Sequence, residues 1–147
     1  MPRKIPVSDD LILLASRLLL ALIFVHEGVF LATNFDAAAA GMAKMGVPTS
    51  VLIATIVLQL AAGLAIAAGW QVRAAAGALA LFCLATAILF HNNFASRTEL
   101  LQFEKDLAMS GGMLLLMVRG AGAWSVESIV RWRPSSGPTA GPLGGAD

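Results

Sequence analysis

Charge is scarce in this sequence. Lysine, arginine, aspartate and glutamate make up 13% of its 147 residues, against roughly 25% in an average soluble domain. Water is a poor solvent for most of the surface such a chain can present. The charges nearly cancel, leaving a formal net charge of +1, so composition gives no polyanion-binding surface and no nucleic acid partner is expected. Cysteine is all but absent: Cys83 stands alone, which excludes an internal disulfide and the Cys-x-x-Cys motif of thiol oxidoreductases. Histidine is limited to His26 and His91, and no metal-ligand spacing accompanies them, so no metal site is assigned. The first apolar stretch carries Arg17 and ends without a small-residue cleavage pattern, and it reads as a retained helix instead of a removable leader.

What fills the chain is apolar: 58% of the residues are hydrophobic. They gather into runs over about 11–32, 51–70, 74–90 and 101–118. At about 1.5 Å of rise per residue, the first three are long enough to cross a hydrocarbon core of roughly 30 Å. The fourth is the shortest, with only Leu107 to Val118 free of charge. It spans only if Glu99 to Asp106 sit at the interface, with Lys105 reaching outward. A re-entrant or surface helix is the alternative there. No run alternates with period two, so helices that bond their own backbone are expected and not a barrel. The expected fold is therefore all-α, an integral membrane four-helix up-down bundle over residues 11–120. Ala61, Ala65 and Gly69, with Gly63 and Ala67, repeat at four-residue spacing and favour close helix approach in lipid.

The short connections set an orientation. Arg3, Lys4, Arg73, Arg119, Arg131 and Arg133 fall on one side, against Lys44 and Arg97 on the other with Lys105 at its border. The positive-inside tendency then places both termini in the cytoplasm. Residues 1–10 form a cytoplasmic N-terminus, and Thr33 to Ser50 and His91 to Gln102 form outward loops. Residues 121–133 mix Trp124, Val126, Ile129, Val130 and Trp132 with three charges, as an amphipathic segment lying in the interface does. From 134 to 147 the tail is mostly Pro, Gly, Ser and Ala, a composition expected to be disordered.

Polar residues at a few positions mark places where chemistry can occur. Arg17 lies inside the first span, where a charge costs a few kcal/mol unless it is paired or reaches the headgroups. His26 and Glu27 lie toward the outer third of the same helix, about 100° apart around its axis, so one of them is expected to point into the bundle. In an up-down bundle, helices one and three end on the same face, which brings His91 near them. Glu104, Lys105 and Asp106 open helix four there, beside Asn92 and Asn93. Such a cluster can hold a quinone headgroup through carbonyl-to-donor hydrogen bonds and relay a proton through histidine and carboxylate. An interfacial salt-bridge and capping network is the competing account of the same residues. A haem held between His26 and His91 is disfavoured by their different heights.

Several short strings carry a family resemblance. They are Arg17-Leu-Leu-Leu-Ala-Leu-Ile-Phe24, Asn34-Phe35, Met42, Met45-Gly46-Val47-Pro48, Leu89-Phe90-His91-Asn92 and Phe103-Glu104-Lys105-Asp106-Leu107-Ala108, followed by Gly111-Gly112 and Arg119-Gly120-Ala-Gly122-Ala-Trp124-Ser125. In this order and spacing, over about 11–127, the chain resembles the DoxX family. The resemblance implies four transmembrane helices, bacterial inner-membrane placement and a redox role, with quinone as the expected small-molecule partner. Some members look like subunits of thiosulfate:quinone oxidoreductase or of a terminal quinol oxidase complex. Others are linked to oxidative-stress assemblies containing superoxide dismutase and a sulfurtransferase. Arg17, Gly28, His91 and Lys105 match the family pattern. His26 and Glu27 stand where small or apolar residues are frequent, Leu31 where Lys is frequent, and Asp106 where Asn is frequent. The expected function is an accessory or quinone-interacting subunit of a membrane redox complex, with His91, Lys105, Glu27, His26 and Arg17 as site residues. The alternative is a non-catalytic scaffold or assembly factor for soluble oxidative-stress enzymes. The lipid bilayer is the expected partner, with protein partners in a membrane redox complex and a homo-oligomer both left open.

Overall fold

A computed structural model describes residues 7–131. Among them the architecture is entirely helical: α1 (Val7–Thr33), α2 (Phe35–Lys44), α3 (Thr49–Ala68), α4 (Val72–Phe90), α5 (Arg97–Arg119) and α6 (Val126–Arg131). The long helices form two extensively packed pairs, α1 with α3 and α4 with α5, and α3 lies against α4 to join the pairs. Bonds between α4 and α5 link Thr86 to Asp106 and Ala80 to Ser110, a register that only antiparallel helices give.

The inward stripe of α1 is Arg17, Ala21, Phe24 and Gly28, all buried, at the three- and four-residue spacing of one helix face. Small residues set the approach of α3. A Cβ on Gly63 would lie 2.9 Å from Val25 Cγ2, and one on Gly28 would lie 2.9 Å from Leu60. Ala62 and Ile66 of α3 then meet Leu79, Ala76 and Cys83 of α4 and Met113 and Leu116 of α5 in one core. α3 ends in a Schellman turn, where Trp70 N donates to Ala65 O at 2.8 Å and Gly69 adopts φ 76°, a left-handed conformation that glycine adopts without cost.

The outside of this bundle is as apolar as its inside. Leu19, Leu22, Leu64, Leu81 and Leu115 are each more than half exposed, a surface that in water marks an interaction site or an aggregation hazard and in lipid is ordinary. Three helices are long and apolar enough to cross a membrane: Asp9–Thr33, Thr49–Ala68 and Val72–Phe90. α5 runs beside α4 for 23 residues, but Arg97, Glu99, Glu104, Lys105 and Asp106 crowd its first turns and keep it out of that group.

Two expectations are corrected here. The stretch from Thr33 to Ser50 is not an open loop, because α2 occupies Phe35–Lys44. Its alanine run, Ala37 to Ala40, has the highest intrinsic helix propensity of any residue type. The first helix also starts earlier than residue 11, with Asp9 and Asp10 in its first turn, where carboxylates favour the positive end of the helix dipole. Within 121–133, α6 accounts for Val126–Arg131. The proposed tail, 134–147, lies outside the described residues.

Candidate functional site

The end of the bundle where α4 gives way to α5 holds a short chain of polar contacts. His91 caps the C-terminus of α4, and the connection to α5 is tight enough to bring Glu99 back beside it. His91 Nδ1 and Glu99 Oε2 are 2.8 Å apart. A ring that carries its proton on Nδ1 donates to this carboxylate oxygen. On the other side of the ring, Nε2 lies 4.0 Å from Asp106 Oδ2, beyond direct hydrogen-bond reach. Asp106 is 7% exposed, and its Oδ2 accepts from Thr86 Oγ1 at 3.0 Å. One turn further along α5, Ser110 Oγ donates to Ala80 O at 3.3 Å. A polar seam thus descends from half-buried His91 between α4 and α5.

Beside His91 opens a recess of about 770 Å³. Met42 of α2, Val51 and Leu58 of α3, and Phe82 and Leu89 of α4 supply its apolar walls. Glu27, Ser50, Thr55, Thr86, His91 and Glu99 supply its polar lining. The helix that replaces the expected loop therefore has a structural effect, since α2 is part of the enclosure.

The sequence-derived candidates divide. His91 and Glu27 share the recess. Lys105 is exposed and does not line it. His26 is exposed on α1 and also lies outside the lining, so the structure does not bring the two histidines together. The expectation that His26 or Glu27 points into the bundle is corrected: both lie off the buried stripe of α1 and are exposed. Glu99 is a member of the site that sequence reasoning did not single out. The available signal was its place eight residues after His91, across a connection containing two asparagines and a serine.

Arg17 belongs to the opposite end of the molecule. It is ten residues before Glu27, about 15 Å along α1 at about 1.5 Å per residue. It is 2% exposed, and it neither bends to the headgroups nor joins the His91 group. Its Nη1 donates to Ala121 O, while Nη2 donates to Trp124 O at 2.9 Å and reaches Ala67 O at 3.4 Å. These are carbonyls of the last turn of α3 and of the chain just beyond α5, where helix ends leave acceptors unfilled and the dipole favours a cation. Two further bonds fasten the same segment: Glu127 N donates to Gly69 O at 3.1 Å, and Ala123 N donates to Asp10 Oδ1 at 3.2 Å. The guanidinium is thus a structural clamp at this end of the bundle, whereas the recess beside His91 lies at the other.

Comparison with known proteins gives consistent matches. The DoxX family model matches residues 12–92. The chain is 38% identical to the inner membrane protein YqjF of Escherichia coli K12 over 122 residues, covering 83% of this chain and 94% of that protein. It is 30% identical to the inner membrane protein YphA of the same organism over 127 residues, covering 82% of this chain and 91% of that one. No solved structure matches.

Proposed function

The chain belongs to the DoxX family, and from that membership we propose that it is a quinone-interacting subunit of a membrane redox assembly. The protein resides in the inner membrane, as its relatives do. The observation that carries the quinone reading is the recess beside His91. Its volume of about 770 Å³ falls in the range of about 300–1,000 Å³ that small-molecule sites occupy. A membrane quinone joins a ring with two carbonyl acceptors to an apolar tail. Ser50 and Thr55 offer hydroxyl donors to the ring, His91 donates from Nε2 when its ring is the imidazolium paired with Glu99, and Leu58, Phe82 and Leu89 line the apolar flank. Reduction of that ring to the quinol takes two electrons and two protons. In this reading the electrons come from a partner subunit, and protons pass by way of Glu99 and His91.

Four crossings with both termini in the cytoplasm form part of the proposal. α5 is supported as the fourth span by its antiparallel register against α4, which keeps its length within the same slab. Its charged first turns then lie at the headgroups, together with His91. Membrane-impermeant thiol reagents should label a cysteine placed at Asn93 from outside intact cells. Labelling of that position only after the cells are opened reverses the orientation.

His26, exposed on α1 and outside the recess, supports the subunit part of the reading. Ionisable side chains within a span face a bundle interior or a protein neighbour far more often than lipid. The same observation favours the second reading, a scaffold that holds redox enzymes at the membrane without contacting quinone. Binding of a short-tailed ubiquinone analogue to the purified protein separates the two. His91→Ala should weaken that binding about tenfold, the loss of one hydrogen bond of about 1.4 kcal/mol. Equal binding by the variant and the parent, or no binding by either, leaves the scaffold.

A further inference from the structure

A second site lies at the opposite end of the bundle, and the argument for it does not depend on quinone. Arg73, in the first turn of α4, and Arg119, the last residue of α5, both line a recess of about 200 Å³ whose floor is the turn Gly120 to Gly122. Glycine at 120 leaves room for Arg73 beside this turn. A Cβ there would sit 3.1 Å from Arg73 Nε and 3.7 Å from its Nη2, so the Arg73 guanidinium lies across the turn. Gly120 also has φ 79° and ψ −161°, a conformation nearly reserved for glycine. Both arginines are exposed. The hydroxyls at the rim are already committed, Ser125 Oγ to Gly122 O and Ser128 Oγ to Ala123 O and Ser125 O. The guanidinium groups are therefore what the recess offers a ligand. Glu127 also lines it, leaving the trio with two positive charges and one negative, a net of +1.

The surroundings fix the depth. A neighbouring recess of about 350 Å³ shares Arg73 and is walled by Trp70 and Val130. Trp70 and Val130 are each more than half exposed and give the neighbouring recess an apolar wall next to Arg73. Tryptophan concentrates at the headgroup level of a bilayer, and cationic side chains there attract anionic lipid. A soluble anion would have no use for that wall. We propose that Arg73, Arg119 and the Gly120–Gly122 turn bind the phosphate of an anionic phospholipid whose acyl chains lie against Trp70 and Val130.

The test is titration of the detergent-purified protein with phosphatidylglycerol, phosphatidylcholine or inorganic phosphate, following the rise in melting temperature. Three proteins are compared: the parent, the double variant Arg73→Gln/Arg119→Gln, and Arg97→Gln at the far end of α5. The parent and Arg97→Gln should respond to phosphatidylglycerol at concentrations at least tenfold below those needed with phosphatidylcholine. The double variant should lose about tenfold or more of that preference, since each cationic side chain near an anionic headgroup is worth about fivefold. Three outcomes overturn the proposal. They are an equal response to the two lipids, a preference that survives in the double variant, and a response to inorganic phosphate that matches the lipid's, which assigns the recess to a free anion.

Discussion

Arg17 and Ala121 stand 104 positions apart in the chain, yet the guanidinium of the first is hydrogen-bonded to the carbonyl of the second in the buried end of the bundle. That bond, with those to Trp124 and Ala67, ties α1 to the end of α3 and to the segment after α5. No apolar side chain reproduces it, because three carbonyls at different positions are met by one planar fork.

Removing the fork should therefore cost more than a surface charge does. Arg17→Gln leaves carbonyls buried without donors, and the expected loss is about 2–4 kcal/mol, the scale of charged hydrogen bonds and stranded acceptors. Arg17→Lys should recover only part, since one ammonium cannot reach all three. Unfolding of the purified protein by graded denaturing detergent measures both. A midpoint for Arg17→Gln equal to that of the parent removes the clamp.

Gly69 and Gly46 form a matched pair. Both have left-handed φ, 76° and 73°, so Gly→Ala carries the same backbone penalty of about 1–2 kcal/mol at each. At Gly46 nothing lies within 4 Å of the added Cβ, but at Gly69 it would stand 2.5 Å from Ser125 Cβ and 2.8 Å from Arg17 Nη1. Gly69→Ala should be clearly the more destabilising in melting experiments. Equal effects would mean that the segment around Ser125 is not held against α3.

A second comparison tests the helix packing. Gly63→Ala places a methyl 2.9 Å from Val25 Cγ2, whereas Gly111→Ala meets nothing within 4 Å. The first should destabilise by about 1–3 kcal/mol through overpacking. The second should be neutral or stabilise by up to about 1 kcal/mol, as glycine in a helix interior is replaced by alanine. The reverse order in melting temperatures contradicts the α1–α3 interface.

Gln59 offers a gain. It is 5% exposed, and among the described residues its Oε1 has no hydrogen-bond partner. Replacing an unsatisfied buried amide by an apolar group of similar volume removes a desolvation penalty of about 1–3 kcal/mol. Gln59→Leu should raise the melting temperature. A fall would show that the amide has a partner in the working protein, such as a bound molecule.

Much of the membrane architecture was legible because lipid is an undemanding reader. A span needs only length and the absence of charge, and 51–70 and 74–90 supply both. The helix over Phe35–Lys44 was missed for the same reason: hydropathy ignores a short alanine-rich helix whose virtue is propensity. His26 and Glu27 were misplaced because α1 is apolar nearly all round, and only the stripe through Arg17, Ala21, Phe24 and Gly28 distinguishes its inside. The contact of Thr86 with Asp106 depends on the register between two helices, which no periodicity within either one contains. Arg17 was recognised as costly, but its acceptors are backbone carbonyls, and those look alike at every position of a sequence.

The position of those acceptors also has a bearing on biosynthesis. Arg17 leaves the ribosome early, while two of its three partners, at 121 and 124, are made only after every apolar run has been delivered. Until then only Ala67 O of the three carbonyls is available to it. A chain cut before residue 121 therefore lacks two of the three carbonyls that hold this side chain.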